Sequence, residues 1–400
     1  MNIRSDFPLL KNNPTMAYFD SSSTTLVPEI AVESVENFLN NIVASSRRGA
    51  HSLTTQGSAI VEKTRKSVAE YLKTDPSQVS FQKSIPSAVA SFAFGYDWQK
   101  QGRNSIVISE NEEHSVMVAL QRVAQILRLE IRIIPIDKNG VMQLEELDNL
   151  VDSNTGIIAA CTTTVGWGIH NKLREVASVA HDNDAILLTD ATQSIAFDEE
   201  QAIHSGADIV IASANIGLMS PPGLAIQWIE KSLGANHIPG ILGGSSVADV
   251  QPTNYEVALI PDRFESGMLN VPAIAGLQSS IEYLKKLKVS GMKSHMKELA
   301  KYLHRRLNEI DAILLYGIPD ESSTIFGFNL GNEDDISCHD IALFLDESDI
   351  AVRSGLLCAH PLVKTASKEG IIQVSLHAYN STSDIDNLCE NLEIISKDLI

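Results

Sequence analysis

Six short runs of branched apolar residues, each separated from the next by a helix-like stretch, constrain this chain more than any other feature. They are "NSIVIS" (104–109), "EIRIIPI" (130–136), "TGIIAAC" (155–161), "DAILLTD" (184–190), "ADIVIAS" (207–213) and "LAIQWI" (224–229). Each is bounded by polar or glycine residues, as strands buried on both faces are. Between them "SVMVALQRVAQILR" and "NKLREVASVAHDN" carry apolar residues at helical spacing. Strand–helix alternation of this kind predicts an α/β architecture with a mostly parallel sheet and helices on both faces. In such sheets ligands bind beyond the carboxyl ends of the strands, so the residues after Ile108, Leu188 and Ala212 are candidates to face a site.

The rhythm changes near residue 272. "PAIAGLQSSIEYLKKL" and "MKSHMKELAKYLHRRLNEI" predict long amphipathic helices, followed by short strands at "TIFGFNLG", "AVRSG" and "IIQVSLHAYN". The expected division is a large domain over residues 14–280 and a smaller α+β domain combining 281–400 with 1–13. Four hundred residues is long for one ordinary core, which agrees with two. The net charge of −19, from 31 basic and 50 acidic residues, repels phosphate backbones and argues against a nucleic-acid partner. No apolar stretch approaches the roughly 20 residues of a membrane span. "MNIRSDFPLLKNNP" lacks the apolar core of a secretory signal, and the four cysteines form no close pair, so a reducing, cytoplasmic setting and no metal site are expected.

Several motifs, taken together, resemble one family. "YFDSSSTTLVP", "RRGAHSL" (47–53), "EEHSVMVALQ" (112–121), "LLTDATQS" (187–194), "RFESGMLN" (263–270), "IAVRSGLLCAHPL" (350–362) and "SLHAYNS" (375–381) stand in the order found in class V, fold-type I pyridoxal-phosphate enzymes. The nearest likeness is to cysteine desulfurases and their selenocysteine-lyase relatives. The resemblance implies a seven-stranded transferase sheet, pyridoxal phosphate as cofactor and a homodimer. It implies that Asp190 pairs with the pyridine nitrogen, Gln193 meets the phenolic oxygen, His114 stacks over the ring and Ser213 reaches the phosphate. It further implies substrate contacts at His51, Arg353 and the position of Gln373, and a nucleophilic thiol at Cys358. The other cysteines, Cys161, Cys338 and Cys389, sit in apolar periodic stretches and read as core filling.

Against that pattern stand several departures. The family's Schiff-base lysine falls at Ile216, which can neither form an imine nor shuttle a proton. The Gly-Thr-Thr phosphate turn is "SIPSAV", with Ile85 and Pro86 in place of hydroxyls and one N–H removed by proline. Met268 replaces a threonine, Thr163 an asparagine, Asn215 a histidine, and Gln373 the arginine that clamps the substrate carboxylate. Lysine, phosphate cup and carboxylate clamp depart together, so pyridoxal phosphate is expected to bind poorly or not at all. Two readings follow. The first is a desulfurase-like pseudoenzyme with a binding, regulatory or sulfur-acceptor role at Cys358, working with an active homologue or a sulfur-carrier protein. The second is an active class V enzyme that holds the cofactor noncovalently, or whose natural chain has lysine at 216.

Overall fold

The computed structural model describes residues 3–198, 202–317, 323–331 and 336–399. A seven-stranded sheet runs through the larger part: β1 (Val79–Gln82), β2 (Ser105–Ser109), β3 (Glu130–Ile134), β4 (Thr155–Ala159), β5 (Ile186–Asp190), β6 (Ile209–Ser213) and β7 (Ala225–Ile229). Their spatial order is β1-β7-β6-β5-β4-β2-β3. All neighbours are parallel except β7, which runs antiparallel to both β1 and β6. The mostly parallel, helix-covered sheet expected from the sequence is therefore present. β1 is the strand that the apolar pattern did not reveal. Its sequence "VSFQ" buries Ser80 and Gln82 as well as Val79 and Phe81, so no apolar run marks it.

Alternate residues of the strands feed two separate layers, as the pleat requires. Ile106, Ile108, Ile157, Ile209 and Ile211 pack under α3 (Ile85–Gly95) and α4 (His114–Leu127). Val107, Ile158, Leu187 and Val210 pack on the other face with α2 (Ser52–Tyr71), α5 (Leu173–Asp182) and α6 (Val271–Val289). α1 (Glu29–Asn41) lies against α6.

A second, antiparallel sheet follows in the order β8-β9-β11-β10, from β8 (Ile313–Leu315), β9 (Ile325–Leu330), β10 (Arg353–Gly355) and β11 (Ile371–Ser375). It packs with α7 (Met292–Asn308), α8 (Cys338–Asp346) and α9 (Thr382–Leu399). The amino-terminal segment joins this part of the molecule: Ala17 and Tyr18 pair in parallel with Ile350 and Ala351, and Asp20 bridges Ser375. Ser22, just beyond, accepts from Gln193, three residues past the end of β5. This stitching brings β10 over the carboxyl ends of the large sheet's strands.

Beneath the site lies a buried ionic knot. Glu265 is fully enclosed; it accepts from Arg65 Nη1 at 2.7 Å and from the Phe81 N–H at 2.7 Å, and Arg47 reaches it at 2.6 Å. The Arg65 side chain is itself 2% exposed. These contacts fix β1 against the 262–267 segment. No helix among the described residues is long and apolar enough to cross a membrane.

Candidate functional site

A cavity of about 360 Å³ opens where the parallel strands end. Lys83 follows β1, Cys161 and Thr163 follow β4, Asp190 closes β5, and Ser213, Asn215 and Ile216 follow β6. Because β7 is antiparallel, its entry residues Gly223 and Leu224 face the same space. Ser22, Ser23, Arg353 and Leu357 complete the wall from the other side. Five of the ten expected site positions meet here: Asp190, Gln193, Ser213, Asn215 and Ile216; Arg353 is a sixth.

The four others are placed differently. His51 is exposed at the start of α2, where its ring engages the Thr54 N–H and hydroxyl. His114 is off the wall, and Glu113 occupies it instead. Glu113 is the N-cap of α4, its carboxylate accepting from the Ser115 N–H at 3.0 Å. His114, the first residue of the helix, instead meets His360 edge-on at 4.4 Å, and its Nε2 accepts from the His360 N–H at 3.3 Å. Gln373 is buried behind the wall. Its Oε1 accepts from the Gly166 N–H at 2.7 Å and its Nε2 donates to Ser22 Oγ, so the amide is spent on the scaffold. Cys358 is exposed beside the cavity, and Arg353 Nη2 donates to its Sγ at 3.4 Å.

The Cys358 turn is held in an unusual backbone shape. Leu357 and Cys358 both have left-handed φ values, 55° and 56°. For residues with a Cβ such values cost of order 1 kcal/mol or more and need anchoring. Leu357 is 4% exposed, Cys358 O accepts the His114 N–H at 3.0 Å, and the Ala359 N–H donates to Leu356 O at 2.9 Å. The turn is thereby tied to the start of α4.

Acidic groups dominate the floor. Burial, the largest influence, pushes the Asp190 carboxyl up to about 7; hydrogen bonds from Thr192 oppose this and the Glu113 charge adds to it. The Thr192 N–H reaches Asp190 Oδ1 at 2.8 Å. Behind it Glu112 is wholly enclosed, and burial, reinforced by the Asp190 charge, holds its carboxyl well above the usual range. Cys161, expected to be core filling, is buried but lines the cavity. Burial raises its thiol far above normal, with the Glu112 and Asp190 charges adding to the effect.

The other polar groups are largely satisfied from within. Ser213 Oγ donates to Asn215 Oδ1 at 2.9 Å, and Gln193 Nε2 donates to Ser22 O at 3.1 Å. At the start of α3 the Ser84 hydroxyl caps the Ser87 N–H at 3.4 Å, while Ile85 and Pro86 turn apolar surface to the cavity. The residues the sequence did not single out are Lys83, Glu113, Ser22 and Thr192. Lys83 was open to discovery as the residue directly after a strand, had β1 been recognised.

A chain with this sheet order, a second sheet folded over its strand ends and Asp190 at the end of β5 is built as a fold-type I transferase. The aminotransferase class-V family profile matches residues 17–388, and the protein belongs to that family. It is 30% identical over 399 residues to a probable cysteine desulfurase of Methanothermobacter thermautotrophicus, covering 99% of this chain and 98% of that one. A cysteine desulfurase of Yersinia pestis is 29% identical, with coverage of 99% and 98%. Among solved structures, the apo cysteine desulfurase of Thermococcus onnurineus superposes with a TM-score of 0.90 at 27% identity, covering 99% of this chain and 98% of its own. A cysteine desulfurase from Escherichia coli, 22% identical, shares the fold with a TM-score of 0.89 over 100% and 98% of the two chains.

Proposed function

We propose that this protein is a desulfurase-like member of its family that does not run pyridoxal-phosphate chemistry from residue 216 and instead receives sulfur on Cys358. The observation that carries the reading is Ile216 on the cavity wall, at the foot of β6, together with an accessible thiol beside Arg353. The family implies pyridoxal phosphate, and Asp190 is suited to a protonated ring nitrogen. The remaining wall does not fit that cofactor. A phosphate at the start of α3 would face Ile85 and Pro86, with the Ser84 hydroxyl already engaged. Ser213 is committed to Asn215, and a carboxylate, Glu113, takes the place where a ring would stack. No step is therefore routed through it.

Sulfur acceptance needs only a thiolate and an electrophilic sulfur. The Cys358 thiolate attacks the outer sulfur of a donor persulfide, the donor's S–S bond breaks, and the donor leaves as a thiolate that takes up a proton. Cys358 is left as the persulfide, with no net oxidation. The guanidinium of Arg353 is placed to stabilise negative charge on that sulfur. The donor would be an active homologue or another persulfide carrier. A homodimer is part of the proposal, supported by exposed apolar side chains at Val250, Tyr255, Leu259 and Met268, 55–81% accessible. A cytoplasmic location also belongs to it, since reduced cysteines keep the thiol available.

The deciding experiment is an absorbance spectrum after incubation with pyridoxal phosphate, followed by borohydride reduction and peptide mapping. No covalent adduct is expected. An adduct on this chain, together with turnover of free cysteine, overturns the reading.

A further inference from the structure

The cavity beside Cys358 carries two cationic side chains. Lys83 enters from the end of β1 and Arg353 from the start of β10. Neither makes an ion pair among the described residues. Gln82 pairs with Ala225 and Ala225 with Ser213, so Lys83 rises two strands away from the β6 foot. Two interstrand steps amount to about 10 Å. Glu113 and Asp190 line the same cavity. Asp190 is 5% exposed and is held by Thr192, whose N–H donates to Oδ1 at 2.8 Å. The cavity thus offers two sites for carboxylates and one for an ammonium group. Its volume of about 360 Å³ lies within the small-molecule range of about 300–1,000 Å³.

Arg353 belongs to the cavity and to the thiol at once, since it lines the one and donates to the other at 3.4 Å. Leu357, adjacent to Cys358, also lines the wall. A ligand seated in the cavity therefore ends next to the sulfur. We propose that the sulfur donor is a small peptide persulfide with two carboxylates and one ammonium group, bound by Lys83, Arg353 and Asp190, which hands its outer sulfur to Cys358. Such a donor uses the cavity that the cofactor does not fit. This inference rests on the acceptor role of Cys358 and goes beyond it by naming the donor's chemistry.

Lys83 holds one carboxylate and Arg353 the other, while the Asp190 carboxylate takes the ammonium group. The apolar side chains of Ile85, Pro86, Ile216 and Leu224 exclude water from the peptide backbone. Transfer follows the balance given above: one S–S bond forms at Cys358, one breaks in the donor, and the released peptide thiolate is protonated by solvent.

The test uses the full-length protein and two sulfur sources, glutathione persulfide and inorganic polysulfide, with loading of Cys358 read by alkylation and peptide mass. Loading from glutathione persulfide should saturate and be competed by S-methylglutathione. In Lys83→Gln the preference for glutathione persulfide over polysulfide should fall about tenfold, the value of one charge-assisted contact. Lys397→Gln, an exposed lysine on α9, serves as the control and should match the parent chain. If Cys358 loads from polysulfide but glutathione persulfide shows neither saturation nor sensitivity to Lys83, the donor assignment is wrong and the acceptor role survives. If neither source loads Cys358 in the folded protein, both fail.

Discussion

Replacing Asp190 by asparagine should make this protein more stable, and more so as the pH rises. The side chain is almost wholly enclosed, with one backbone N–H on Oδ1 and an unbalanced charge once ionised. Its carboxyl is raised from 3.8 to about 7, chiefly by burial. A raised acid is proton-bound in the folded state where the unfolded chain has already lost its proton. Stability is therefore intact below the unfolded value, declines as the pH climbs from about 4, and stops declining above about 7. At 1.36 kcal/mol for each unit, the whole loss is about 4 kcal/mol. Asparagine keeps the shape and still accepts the Thr192 N–H, yet carries no charge to desolvate. Urea unfolding of both proteins between pH 4 and 8 should show midpoints that coincide near pH 4, separate up to about pH 7 and level off above it. A constant gap, or a less stable variant at pH 8, would refute the claim that Asp190 ionises at a cost inside the cavity.

Three further outcomes follow from the geometry. Ile216→Lys restores an amine but leaves Ile85, Pro86, Glu113 and Gln373 in place, so assays of sulfide release from free cysteine with added pyridoxal phosphate should stay at background. Turnover from that single change would show that residue 216 was the only defect. In thiol labelling of the native protein across four single Cys→Ser variants, Cys358 should react first by at least an order of magnitude, because Cys161, Cys338 and Cys389 are buried and burial holds their thiols protonated; equal rates would contradict its accessibility. Glu265→Ala strands Arg65 without its carboxylate and should cost about 3–5 kcal/mol, measured by denaturant unfolding; a loss below 1 kcal/mol would show that the knot is not enclosed.

Much of the architecture was legible because parallel strands buried on both faces declare themselves as apolar runs. "IVIAS" and "ILLTD" could be placed from composition alone, and their last residues did reach the cavity. β1 escaped because half its side chains are polar, and with it went Lys83. The helix start at His114 was legible, but a motif does not say which side chain near that start faces the cavity; there it is the N-cap, Glu113. Gln373's two hydrogen bonds, to Gly166 and Ser22, join parts of the chain that no local pattern connects. His51 shows the opposite limit: its motif lies in the expected order, yet the ring serves its own helix cap.

The parallel pairing of Ala17 and Tyr18 with Ile350 and Ala351 sets a birth order for the cleft. Thr15 and Asp349, joined by a 2.8 Å hydrogen bond, are 334 positions apart. At a ribosomal pace of about 5–20 residues per second, the first segment waits roughly 20–70 s for its partner. During that interval the large sheet can assemble from neighbouring strands, but Ala17 and Tyr18 lack their strand partners and Arg353 has yet to be made. The cavity therefore acquires its second wall only once β10 has been made, and a nascent chain arrested before β10 would carry a finished sheet with an open, acidic floor.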